Sequence, residues 1–151
     1  MNATVTMLQE LGAFILAGAK GPEAVKKMVE MIRAARGYRW VGIYKVSRGE
    51  LTIIAGTGDC PPTYPRFPLT QGLCGATAES GETIVVADVS KDLRYLPTFH
   101  TTRSEIVVPI ISRSERVVGV IDAESEKLDA FKEEDREALE RVASLMGRAF
   151  K

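Results

Sequence analysis

The sequence predicts an α+β domain in which helices cover a mostly antiparallel β-sheet. Amphipathic helical patterns stand at both ends of the chain, two at the start and one at the close. Between them run short apolar segments of strand length, joined by turns too tight for parallel neighbours. A chain of 151 residues that is 45% apolar can bury one domain core but not two comfortable ones. No repeat, low-complexity tract or linker divides it, so residues 1–151 read as a single domain.

Thr6 and Gln9 fit a capping box, and Leu8, Leu11 and Ile15 recur on one face, which predicts a helix over 6–17. A second helix over 22–36 has Pro22 at its first position and Gly37 at its stop, with Val25, Met28, Val29 and Ile32 as its apolar stripe. Segments 40–46 and 51–55 read as strands around an Arg48-Gly49 hairpin turn. Pro61, Pro62, Pro65 and Pro68 exclude helix or central strand from the loop that follows. A short helix over 73–79, closed by Gly81, leads to a strand over 83–87. Residues 88–103 form a long loop, of the length that usually covers a binding site. Strands over 105–111 and 116–124 flank the polar turn 112–115. The last helix starts near Glu133, where Glu133, Glu134 and Asp135 suit the positive end of the helix dipole. Ala138, Val142, Leu145, Met146 and Ala149 line its buried face.

Charged residues make up 26% of the chain at a formal net charge of zero. That balance argues against disorder and removes the basic excess a nucleic-acid binder needs. No apolar run approaches the ~20 residues of a membrane span, and the start lacks the basic residues of a secretory signal. The two cysteines, Cys60 and Cys74, are too few for a disulfide framework. No CxxC or Cys/His cluster offers a zinc site, so neither metal nor cofactor is expected, and a reducing cytoplasm is the expected location.

Glu105, Asp122 and Glu124 interrupt otherwise apolar strands. Asp122 and Glu124 are two apart, hence on one face and ~7 Å apart along the strand. Folding the hairpin about Ser114 sets Glu105 opposite Asp122 or Glu124, depending on register. Three converging carboxylates repel one another unless a cation, a donor or water compensates, and a ligand ammonium group would serve. The alternative is strand-end acids wetted by solvent or paired with Arg94 or Arg103. Cys74, at the start of a short helix, is either a thiol of lowered pKa or a small buried hydrophobe. A Cys60–Cys74 disulfide would need a Cα separation that sequence does not give. His100 has no partner at metal-ligand spacing and reads as a loop residue. Gly56-Thr57-Gly58 precedes Asp59 and Cys60 rather than a helix, so it is no dinucleotide fingerprint.

Trp40-Val41-Gly42-Ile43-Tyr44, Gly72-Leu73-Cys74-Gly75, Val86-Ala87-Asp88-Val89, Ser104-Glu105-Ile106-Val107-Val108-Pro109 and Gly119-Val120-Ile121-Asp122-Ala123-Glu124-Ser125 together resemble a GAF domain, as does the ending 131–139 with Asp135 within it. The resemblance covers nearly the whole chain. It implies a central antiparallel sheet of five to six strands, terminal helices packed on one face and a ligand pocket under loops on the other. It also implies a homodimer paired through those helices. Within the family the motifs are similar to those of the free methionine-(R)-sulfoxide reductases. That likeness implies that Glu105, Asp122 and Glu124 grip a free amino acid, that Trp40, Tyr44, Thr98 and Cys74 line its pocket, and that Cys74 matches the cysteine that resolves a sulfenic acid.

The loop before Ser104 departs from those enzymes, which carry His-Ile-Ala-Cys-Asp there and attack the sulfoxide with its cysteine. Thr98 stands at that cysteine's place, and residues 95–103 contain no cysteine. The segment instead looks like the Asp-Leu-Arg-Tyr-Leu-Pro stretch of sensory GAF domains, and a threonine cannot form the sulfenic acid. The leading expectation is therefore an intracellular sensor module binding an amino-acid-like or cationic metabolite and signalling through a separate effector protein. A reductase in which Cys74 attacks and Cys60 resolves is the alternative, and a purely structural dimerisation unit is the third reading.

Overall fold

The computed structural model describes residues 2–59 and 61–149, so Cys60 lies outside the described residues. Helix α1 (Ala3–Leu16) starts earlier than the Thr6 capping box predicts. Asn2 is the actual cap, its side-chain oxygen accepting the Val5 N–H at 2.9 Å. Helix α2 (Pro22–Arg36) keeps the predicted bounds. Strands β1 (Trp40–Ser47) and β2 (Glu50–Gly56) form a hairpin whose turn residues Arg48 and Gly49 have φ of 52° and 77°, as a type I′ turn requires. Strand β3 (Arg66–Pro68), inside the proline-rich loop, was not expected. It stands at a sheet edge, where Pro68 has no donor to lose.

Helix α3 (Gly72–Ser80) and strand β4 (Ile84–Val86) follow, and a single 3₁₀ turn (Val89–Lys91) opens the long loop. Strands β5 (Ser104–Ile111) and β6 (Val117–Ser125) and helix α4 (Glu133–Ala149) complete the described chain. Among the described residues six strands form one sheet in the order β3-β2-β1-β6-β5-β4, and every neighbouring pair is antiparallel.

Strand alternation divides the interior in two. One face of the sheet presents Val41, Ile43, Ile106, Val108, Ile110 and Ile121 to Leu11, Val29, Ile32, Leu139, Val142 and Met146 of α1, α2 and α4. The other face presents Trp40, Tyr44, Leu51, Val107 and Val120 to Phe67, Leu73, Cys74 and Val89. The helical layer is fastened at Asp135. Its Oδ1 accepts from Arg36 Nη2 and the Tyr38 hydroxyl, each at 2.7 Å, and its Oδ2 accepts the Lys132 backbone N–H at 2.8 Å.

Candidate functional site

The β5–β6 register pairs Glu105 directly with Glu124 and Val107 with Asp122. The β1–β6 register pairs Trp40 with Glu124 and Gly42 with Asp122. Period-two alternation therefore sends Trp40, Tyr44, Glu105, Asp122 and Glu124 to the sheet face away from the terminal helices. Helix α3 lies across that face and brings Cys74 down onto it. The Cys74 sulfur and one carboxylate oxygen each of Glu105 and Asp122 lie within 4.8 Å of one another.

All three acids are buried: Asp122 is 0%, Glu124 1% and Glu105 3% exposed, so solvent does not wet them. Apart from protons shared among the three acids, neither Asp122 oxygen has a hydrogen-bond partner, and Glu124 has one, the Thr102 hydroxyl donating to Oε1 at 2.8 Å. Arg94 pairs with Asp92 at 2.7 Å instead, and among the described residues no ion pair reaches Glu105, Asp122 or Glu124. Burial pushes each carboxyl well above the ordinary carboxylate range. Mutual repulsion adds to it: Glu124 acts on Glu105, Glu105 on Asp122, and Asp122 on Glu124. The same surroundings decide between the two readings of Cys74 in favour of the buried one. Its place in the first turn of α3 would favour a thiolate, but burial and then the nearby Asp122, Glu105 and Glu124 push the thiol well up.

The walls are aromatic. A Cβ at Gly42 or Gly56 would collide with the Trp40 indole, so the two glycines form the shelf on which the ring lies. Phe99 meets that ring edge-on at 5.1 Å, and Trp40 Nε1 is buried without an acceptor. Tyr44 packs edge-on against Phe67 at 5.6 Å. Thr98 is buried, and its carbonyl accepts from the Thr63 backbone N–H at 3.0 Å and the Thr63 hydroxyl at 2.9 Å. Of the loop residues 98–100, Thr98 and Phe99 cover the site while His100 is exposed.

Two cavities flank the carboxyls. One of about 10 Å³ is bounded by Tyr44, Phe67, Leu73, Cys74, Thr98 and Glu105. One of about 210 Å³ opens on the Glu124 side between Trp40, Phe99 and Thr102. Sequence reasoning placed Thr98, Phe99 and His100 in the covering loop but missed Thr102 and Thr63. Thr102 stands two residues before the strand that bears Glu105, but with Thr101 and Ser104 beside it nothing local singles it out, and nothing local marks Thr63. The ligand-capable trio of Cys74, Glu105 and Asp122 is drawn from α3, β5 and β6, so no sequence spacing announces it.

The GAF domain family model matches residues 22–150. Free methionine-R-sulfoxide reductase of Saccharomyces cerevisiae is 34% identical over 111 residues, 73% of this chain and 62% of that protein. The chain thus spans less than two thirds of that relative's length. A free methionine-R-sulfoxide reductase of Neisseria meningitidis, solved in complex with its substrate, superposes with a TM-score of 0.88 at 30% identity, covering 97% of this chain and 87% of that one. A type II free methionine-R-sulfoxide reductase of Thermoplasma acidophilum superposes with a TM-score of 0.80 at 29% identity, covering 91% and 92%.

Proposed function

The chain belongs to the GAF domain family, and from that membership we propose that it reduces free methionine-(R)-sulfoxide, with Cys74 as the attacking sulfur. The observation that carries this reading is the Cys74 thiol held against Glu105 and Asp122 on the floor of a closed, aromatic-walled site. A pocket that only bound an amino acid would need its acids, but not a sulfur beside them. The reductases of Neisseria meningitidis and Thermoplasma acidophilum on the same fold support the choice of substrate.

Burial keeps Glu105 and Asp122 able to hold a proton near neutrality. One protonated carboxyl donates to the sulfoxide oxygen while an ionised one accepts the Cys74 proton. Sulfur attacks sulfur, the oxygen passes to Cys74, and methionine leaves with a sulfenic acid behind it. The Cys60 thiol then displaces water from the sulfenic acid to form a disulfide, and an external dithiol returns both cysteines to thiols by exchange. Glu124, beside the larger cavity, takes the substrate ammonium group in a charge-assisted bond. The orphaned Trp40 N–H donates to a substrate oxygen.

Methionine release from free methionine-(R)-sulfoxide, with dithiothreitol as reductant, tests the reading. Turnover should be clear of background and should fall about 100-fold or more in Cys74→Ser. Wild-type turnover at background would overturn it. The absence of cysteine from residues 95–103 favours a second reading, a binding module for the same class of amino acid. Calorimetric binding of methionine or its sulfoxide without turnover would select it.

A further inference from the structure

We propose that the resting site also takes a thiophilic divalent cation, zinc or its analogues, on Cys74, Glu105 and Asp122. The Cys74 sulfur and one oxygen of each acid already lie within 4.8 Å of one another. A tetrahedral zinc with Zn–S of about 2.3 Å and Zn–O of about 2.0–2.2 Å needs only a modest contraction of that triangle.

Acids and a thiol in company do not make a metal site, and an independent feature points to a ligand. Asp122 is fully buried, and its oxygens meet no hydrogen-bond donor apart from a proton shared with Glu105 or Glu124. An unpaired buried carboxyl is costly, and coordination is one of the few ways to satisfy it without a cationic side chain. None of the described ion pairs supplies such a side chain.

Size argues the same way. The space beside Cys74 and Glu105 is about 10 Å³. That is the scale of one water molecule or ion, far below an amino acid, which enters only if the loop over 92–103 gives way. A cation is small enough to sit beside Cys74 and Glu105 without it, and Asp122, which does not border that space, lies within 4.8 Å of both.

Ligand chemistry selects the cation. One sulfur with two carboxylate oxygens suits zinc, whereas magnesium and calcium prefer oxygen ligands alone. Binding releases the protons that burial keeps on Cys74, Glu105 and Asp122 and leaves a complex of net charge −1. Affinity therefore rises with pH. The fourth coordination position is open to water. A bound cation occupies the attacking sulfur and blocks any turnover at Cys74, but the binding itself does not depend on that sulfur being catalytic.

Cobalt titration of the reduced, chelator-treated protein is the direct test. One equivalent should produce a sulfur-to-cobalt charge-transfer band in the near ultraviolet that zinc abolishes. Cys74→Ser should lose the band. Zinc affinity, read by competition with a chromogenic chelator, should fall roughly tenfold or more in Asp122→Asn. A wild-type protein without the band overturns the proposal, and that result needs no variant to fold. So does a band that survives Cys74→Ser, or an affinity unchanged in Asp122→Asn. Because the readout is spectroscopic and metal-loaded, it fails or succeeds separately from the turnover assay, which is run with chelator present.

Discussion

Glu105 on β5 and Glu124 on β6 are direct partners across an antiparallel ladder, with both carboxyls buried on the same face of the sheet. Opposed like charges destabilise a strand pair, and Asp122 adds a third acid to the same face. The folded chain therefore keeps these groups protonated well above about pH 4, where the unfolded chain ionises them. The folded state binds more protons, so its stability falls as pH rises. The contribution is complete below the unfolded value and is lost as pH climbs through the raised folded values. Denaturation midpoints of the ligand-free protein should decline from about pH 5 to about pH 8, and Asp122→Asn should flatten the decline. A wild-type midpoint that rises over that interval would contradict buried neutral acids.

Asp135 carries the opposite sign. Burial pushes its carboxyl up, but the Lys132 backbone N–H, the Arg36 guanidinium and the Tyr38 hydroxyl together hold it below the ordinary value. Its stabilisation is present above the unfolded pKa and is lost as pH falls through the depressed one. Because Arg36 also donates to Thr4, the cluster joins α1, α2 and the start of α4. Asp135→Ala should cost about 2–3 kcal/mol near neutrality, the scale of hydrogen bonds to a charged group plus a lost cap. It should leave ligand affinity unchanged, since the cluster lies on the helical side of the sheet. A variant that unfolds normally but binds poorly would show the two faces to be coupled.

The chain's one tryptophan stands in the site, so intrinsic fluorescence reports on it directly. Titration with methionine sulfoxide should change the Trp40 emission, because ligand must displace or contact the Phe99 edge that now packs on the ring. Gly42→Ala should push the indole off its shelf, costing about 1–3 kcal/mol by overpacking and shifting the emission of the unliganded protein. An unchanged spectrum in both experiments would place the ligand away from Trp40.

Much of this was legible in the residues because the signals were local. Pro22 and Gly37 bound α2, Arg48-Gly49 makes the hairpin turn, and the alternation around Asp122 and Glu124 put both acids on one face. Signals that depend on distant partners were not legible. The cap of α1 is Asn2 because its side chain reaches Val5, while Thr6 offers an equally good motif one turn later. Strand β3 exists because Phe67 pairs with Leu51, not because its three residues prefer strand. The Asp135–Arg36 pair joins groups 99 positions apart. The direction of the Cys74 shift stayed open in the sequence for the same reason. Its helix-start position is visible in the sequence, but the three acids beneath it come from other elements.

The loop that covers the site is tied to the proline-rich segment at the Thr98 carbonyl. Thr63, in the proline-rich segment, donates both its backbone N–H and its hydroxyl to the Thr98 carbonyl. Thr98 lines the small cavity beside Cys74, and the next residue, Phe99, covers Trp40. Releasing this carbonyl should let residues 95–103 open more often without disturbing the sheet. Thr63→Val removes the hydroxyl while keeping shape and the backbone donor, so it deletes one hydrogen bond of about 1 kcal/mol, or roughly fivefold in an opening equilibrium. Amide hydrogen exchange over 95–103 should quicken by about that factor while exchange in β5 and β6 stays unchanged. If ligand enters through this loop, its association rate should rise by a similar factor and its residence should shorten. Exchange that quickens uniformly across the chain would mean that Thr63 serves global stability. Faster exchange with an unaltered association rate would place the entrance elsewhere, on the Glu124 side, where the larger cavity lies between Trp40 and Thr102.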